Sequence, residues 1–182
     1  SGKTRVITYK VAALIESGQF RPEEILAVTF TNKAANEMKE RIQALLAGRS
    51  GSMPLMCTFH SFCARFLRRE IEVLGWPRDY TIYDSDDQLR LVKNILKGLR
   101  ANEKEVTPEM VLSRIGQAKI HAIGPDDYAR RFFRPEDEMV AAAYRVYERS
   151  LQQNGALDFD DLILKTNEIL KRFPEVRQSL GR

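Results

Sequence analysis

The chain opens Ser1-Gly2-Lys3-Thr4, and those four residues restrict what the next sixty can build. A glycine-lysine-threonine run at the start of a helix is the closing part of the pattern G-x-x-x-x-G-K-[ST]. In that pattern glycine admits a phosphate oxygen close to the backbone, lysine carries charge to the β- and γ-phosphates, and the hydroxyl ligates Mg²⁺. A helix beginning at this point adds its free N–H groups and the positive end of its dipole. So short a string also arises by chance, and the phosphate-loop reading stands only if a parallel α/β unit follows.

Such a unit follows. Ile7, Val11, Leu14 and Ile15 recur at helical spacing from Thr4, and Gly18 ends the run. After Pro22, the apolar stretch Ile25 to Phe30 reads as a buried parallel strand. Thr31 and Asn32 are caps for a second helix with Ala34, Met38, Ile42 and Leu45 inward, ending near Gly48. A Gly/Ser/Pro link leads to a second strand, Leu55 to Thr58. A helix from Ser61 to Leu74 comes next, with Cys63, Phe66, Leu67, Ile71 and Leu74 inward. On its other face Arg65, Arg68 and Arg69 cluster, as a phosphate contact or a solvated surface.

From Trp76-Pro77 the pattern changes. Only Thr81-Ile82-Tyr83 still suggests a strand, and amphipathic helices follow one another. One opens at Asp84 or Ser85 with Leu89, Val92, Ile95, Leu96 and Leu99 inward. Thr107-Pro108 starts the next, on Met110, Val111, Ile115 and Ala118. A short helix begins at Gly124-Pro125. The longest runs from Pro135 to Asn154 on Met139, Ala143, Val146, Tyr147 and Leu151, closed by Gly155. Asp158 caps another that reaches Phe173, and Pro174 starts a last short piece. The fold class is therefore α/β at the front, with a parallel phosphate-loop sheet over residues 1 to about 60, and mostly helical from 61 to 182.

The 182 residues are 43% hydrophobic and 30% charged, ordinary for a globular protein. No run is long and apolar enough for a membrane span, and the first residue, which is not Met, sits inside a motif, so a piece of a longer protein is expected. Cys57 and Cys63 lack ligand spacing and read as reduced core residues of a cytoplasmic protein. The net charge is +4, and its place says more than its size. Residues 1–80 hold 12 Lys and Arg against 8 Asp and Glu, whereas the remainder is balanced at 17 each. The excess thus accompanies the phosphate loop, which suits a nucleotide or nucleic acid and equally a solvated surface.

Three stretches in order, Ser1 to Arg5, Ala27 to Met38 (A-V-T-F-T-N-K-A-A-N-E-M) and Thr58 to Phe62 (T-F-H-S-F), resemble motifs I, Ia and Ib of the UvrD/Rep-type superfamily 1 DNA helicases. Leu157 to Leu162 (L-D-F-D-D-L) and Tyr83 to Leu89 are similar to later segments of that family. The resemblance covers essentially the whole chain. It implies part of a first RecA-like domain followed by a helical insertion, in an ATP-dependent enzyme that translocates on single-stranded DNA and engages single/double-strand junctions, with ATP and Mg²⁺ as cofactors. By that resemblance Ser1, Gly2, Lys3, Thr4 and Arg5 bind the nucleotide, Lys3 serving the chemistry, Thr4 holding the metal ion and Arg5 lying near the base. Phe30, Thr31, Asn32, Lys33, Thr58 and His60 match positions along the DNA path.

On residues alone, the second reading of Phe30 is a strand-end core residue, and that of His60 a helix cap or core histidine. Asp158, Asp160 and Asp161 suggest a metal site or, better, capping by Asp158 with Asp161 exposed in the first turn. Two rivals stand beside the helicase reading: another P-loop NTPase, and a non-catalytic nucleic-acid-binding subunit. The sequence contains no D-E-x-Q stretch, so the chain alone is expected not to turn over ATP. Protein partners are not legible.

Overall fold

In the computed structural model the described residues are 2–46, 52–102, 105–132 and 134–180, with only the backbone of Lys3. Ser1, the Lys3 side chain and Gly48 lie outside them. The chain forms two compact units, residues 1–65 with 174–182, and residues 66–173.

In the first unit, α1 (Gly2–Glu16) is followed by β1 (Leu26–Thr29), α2 (Asn32–Leu45), β2 (Leu55–Thr58) and the start of α3 (Phe59–Glu70). A short helix α9 (Pro174–Ser179) also belongs to it, with Val176 buried. The strands pair in parallel with Leu26 opposite Leu55 and Thr29 opposite Thr58. Two parallel neighbours need a crossover, and α2 supplies it. Its start is fixed by Thr31, whose hydroxyl accepts from the Ala34 N–H at 3.2 Å. Val11, Ala12 and Ile15 of α1 meet Ala27, Met38, Ile42 and Leu46 in one apolar cluster.

The strand between them is less enclosed than its composition suggests. Ala27 and Thr29 are buried, whereas Leu26 is exposed and Val28 half-buried, because only one face of this sheet is covered by the cluster. Ile7, expected inward on α1, is exposed, and Thr8 is buried instead with its hydroxyl donating to the Thr4 carbonyl at 2.8 Å. In α2 the inward alanine is Ala35 rather than Ala34, and Leu46 takes the place expected of Leu45.

The helix after β2 begins at Phe59, two residues before the expected Ser61, and tightens into a 3₁₀ turn over Ile71–Leu74. In the second unit it is followed by β3 (Thr81–Ile82), α4 (Ser85–Gly98), α5 (Pro108–Ile120), α6 (Pro125–Arg131), α7 (Pro135–Gln153), β4 (Ala156–Leu157) and α8 (Phe159–Arg172). Polar starts define these helices: Asp84 accepts from the N–H groups of Asp86 and Asp87, and Thr107 accepts from that of Met110. Asp137 reaches back to the Arg134 N–H and also accepts from the buried Tyr128 hydroxyl at 3.2 Å.

One core joins Val92, Ile95 and Leu96 of α4, Val111 and Ile115 of α5, and Val140, Ala143, Tyr144, Tyr147 and Leu151 of α7. Met139 and Val146, expected on the spine of α7, flank that core half-buried, since Val140, Ala141 and Tyr144 turn inward. The sequence reading missed β4. Its two residues pair in parallel with β3, Thr81 opposite Ala156 and Ile82 opposite Leu157. Gly155 makes the turn into it with φ +55°, and a Cβ there would stand 3.2 Å from Cγ of Pro77.

Candidate nucleotide and nucleic-acid site

Because Thr29 and Thr58 face each other as the last paired residues of β1 and β2, the chain leaves the sheet side by side at Phe30 and Phe59. Alternation along β1 sends Thr29 inward and its neighbour outward. Phe30 is 91% exposed, the most exposed large apolar side chain among the described residues. Its backbone is pinned on both sides. The Thr29 hydroxyl donates to the Thr31 carbonyl at 3.0 Å, and Thr31 caps α2. The Phe59 ring, 42% exposed, lies with its centroid 5.7 Å from that of Phe30 at a tilt of 45°.

Around this aromatic pair, Asn32 and Lys33 are exposed on the first turn of α2, and His60 is exposed on the first turn of α3. Thr31 is exposed, with its hydroxyl engaged in the cap. Thr58 differs from the rest. It is buried, and its hydroxyl bonds Ser61 Oγ at 2.8 Å and accepts from the Ser61 N–H at 3.2 Å, so it organises the start of α3. Phe59 was absent from the sequence-derived set, although it directly follows a strand end in the same way as Phe30.

At the other candidate site, α1 begins at Gly2, which is exposed, and a Cβ added there would meet nothing within 4 Å. The protein's own packing therefore makes no demand for glycine at this position, and the approach to the backbone is open. The first turn of α1 carries no acidic residue that would repel an anion. Thr4 is half-buried and Arg5 exposed.

The arginine cluster of α3 is partly committed elsewhere. Arg68 donates to the Arg78 carbonyl at 2.6 Å and lies over the Tyr80 ring at 3.9 Å, while Arg69 pairs with Glu70. Cys57 and Cys63 are both buried, and burial pushes the Cys57 thiol up.

The aspartates of Leu157 to Leu162 do more than the capping expected of them. Asp158 does cap α8, accepting from the Asp161 N–H at 2.8 Å. Asp161, however, is buried rather than exposed, because both carboxylates close on the ammonium of Lys119, itself 1% exposed. Nζ lies 2.6 Å from Asp158 Oδ2, 2.9 Å from Asp161 Oδ1 and 2.9 Å from Glu148 Oε1. The Glu148 contact is an ion pair without hydrogen-bond geometry. The Tyr147 hydroxyl donates to Asp158 Oδ2 at 2.9 Å.

Burial pulls the Lys119 ammonium down, but attraction to Asp161, Asp158 and Glu148 more than offsets it and holds the group well above its ordinary range. Three acids around one base leave an excess of negative charge. Burial, reinforced by Asp158 and Glu148 and opposed by Lys119, pushes Asp161 up to about 6. Among the described residues no cluster of His, Cys, Asp and Glu is arranged to hold a metal ion, and no helix is long and apolar enough to cross a membrane.

A helix opened by Gly-Lys-Thr, a two-stranded parallel sheet with outward residues at its strand exits, and a helical body between β2 and α9 define a P-loop α/β protein elaborated by a helical subdomain. The chain belongs to the UvrD/REP helicase N-terminal domain family, which matches residues 1–182. It is 43% identical over 176 residues to the ATP-dependent DNA helicase PcrA of Staphylococcus aureus strain Mu50, covering 97% of this chain. It is 42% identical over 175 residues to the PcrA helicase of Staphylococcus epidermidis strain RP62A, covering 96%. The chain spans 24% of the length of each of these relatives.

Proposed function

We propose that this chain is the phosphate-loop and helical-subdomain portion of an ATP-dependent DNA helicase that moves along single-stranded DNA and opens duplex at single/double-strand junctions. The observation that carries the reading is the solvent-facing Phe30, with Asn32 and Lys33 beside it, in a unit whose chain begins Gly-Lys-Thr. Similarity to helicases named as ATP-dependent and DNA-acting supports it.

The open backbone at Gly2 and the acid-free first turn of α1 suit a triphosphate. In this reading Gly2 lets phosphate oxygens approach, Lys3 brings charge to them, the Thr4 hydroxyl holds Mg²⁺ and Arg5 lies beside the base, with Ser1 completing the loop. ATP with Mg²⁺ supplies the free energy of phosphoryl transfer to water when bound. At the strand exits, Phe30 offers a stacking face that every base can use. Asn32, Lys33 and His60 contact sugar and phosphate without reading sequence, and Thr31 and Thr58 shape the backbone beneath them.

The 182-residue chain alone is inactive in this reading, since it has no D-E-x-Q acid to orient water. A steady-state assay with oligo(dT) should give less than about 1 s⁻¹. The decisive experiment replaces Lys3 by alanine in the full-length protein. DNA-stimulated ATP hydrolysis should fall at least about 10²-fold while oligo(dT) affinity is kept. Hydrolysis at the unsubstituted rate would overturn the phosphate-loop assignment.

A further inference from the structure

We propose that Phe59 is a positioning residue for the DNA site, a buttress that fixes the exposed Phe30 ring so that its outer face receives a base. This deepens the function proposed above and rests on it.

The geometry separates two uses of an aromatic pair. A base inserted between two rings needs about 3.5 Å on each side, hence about 7 Å between parallel planes. Here the centroids are 5.7 Å apart and the planes tilted by 45°, the contact arrangement of two rings packed on each other. No base fits between them. At 91% exposure Phe30 loses only a small part of its surface to its neighbours, so the face turned away from Phe59 is open to solvent, and Phe59 is itself 42% exposed.

The placement follows from the fold. Residues 30 and 59 are the first beyond the opposed pair Thr29 and Thr58, so the register of the sheet sets the distance between the rings. Their backbones are tied by the Thr29-to-Thr31 and Thr58-to-Ser61 hydrogen bonds. An isolated phenylalanine this exposed would sample several rotamers and lose that freedom on stacking. A ring already held against a neighbour loses less, so Phe59 acts by pre-organisation without touching DNA.

The test is a double-substitution cycle in the full-length protein, read by fluorescence anisotropy with an oligo(dT) probe and an abasic probe of equal length. Phe59→Leu keeps apolar volume and removes the ring. It should weaken oligo(dT) binding about 2- to 10-fold, leaving the abasic probe unchanged. Phe59→Tyr should restore the affinity. Combined with Phe30→Ala, Phe59→Leu should add nothing, since a buttress has no effect without the ring it supports.

An additive double variant would mean that Phe59 contacts DNA itself and would overturn the inference. Equal weakening of both probes would reduce its role to general structure and also overturn it. Phe30→Ala weakening oligo(dT) while Phe59→Leu does not would refute the buttress alone. If Phe30→Ala also leaves discrimination between the two probes unchanged, the stacking role proposed for Phe30 fails with it.

Discussion

Replacing Lys119 with methionine removes one charge from the most enclosed polar cluster among the described residues. Methionine fills a similar volume, so the lost ammonium dominates. Each contact with Asp158 and Asp161, at 2.6 and 2.9 Å, is worth about 6 kcal/mol of gross attraction at an effective dielectric of about 20. Most of that is offset in the native protein by desolvation of the lysine and both carboxylates, so the net value of the cluster is far smaller. Breaking it from one side is nevertheless costly, because two buried carboxylates remain uncompensated, and such losses run about 3–5 kcal/mol. Against a total stability of about 5–15 kcal/mol this is a large share. Glu148 adds less, its side chain being 29% exposed. Urea unfolding followed by far-UV circular dichroism at pH 7 measures the loss. The same measurement at pH 5 should give a smaller one, since a protonated Asp161 no longer needs the lysine. Adding Asp161→Asn to Lys119→Met should recover much of the stability at pH 7. A loss below about 1 kcal/mol at pH 7, or one equal at both pH values, would refute this account of the cluster.

Three other outcomes are open to measurement. The native chain holds the Asp161 proton up to about pH 6 while the unfolded chain releases it near its ordinary value of 3.8. Between those values the folded state binds more protons, so this group's contribution to stability falls as pH rises from about 4 to 6. Asp161→Asn should flatten that part of a stability–pH profile, and an unchanged slope would assign it to other groups. Phe30→Ala should weaken oligo(dT) binding by about 1–3 kcal/mol with little change in melting temperature, whereas Lys33→Ala should lower the salt slope by about 0.7. A drop in melting temperature without a change in affinity would make Phe30 a structural residue.

Helices were the legible part of this chain because their signal is repeated. The stripes Val92-Ile95-Leu96 and Val111-Ile115-Ala118 each state the same face several times, and Thr31, Thr107 and Asp158 mark their starts chemically. A two-residue strand has no period to detect. Ala156-Leu157 becomes β4 only because Thr81-Ile82, far away in sequence, lies beside it. Lys119 was in principle detectable. It stands four residues after Ile115 and eight after Val111, on the apolar stripe of α5, where a lysine requires a buried acid. The sequence does not say which acid, because 39 residues separate Lys119 from Asp158. At the DNA site, exposure decided what residue type could not. Thr58 ends β2 and Phe30 is the first residue beyond β1, yet one turns inward to bond Ser61 and the other stands in solvent.

Asp158 performs three tasks with one carboxylate: it caps α8, accepts the Tyr147 hydroxyl from α7 and pairs with Lys119 from α5. Its consequence is kinetic. None of the three helices can detach while the other two keep their full set of partners, because each departure strands a charge or a hydroxyl away from water. Partial openings at this junction therefore carry a large share of the penalty of complete unfolding. Amide protons at the start of α8 should exchange with the slowest class in the helical unit.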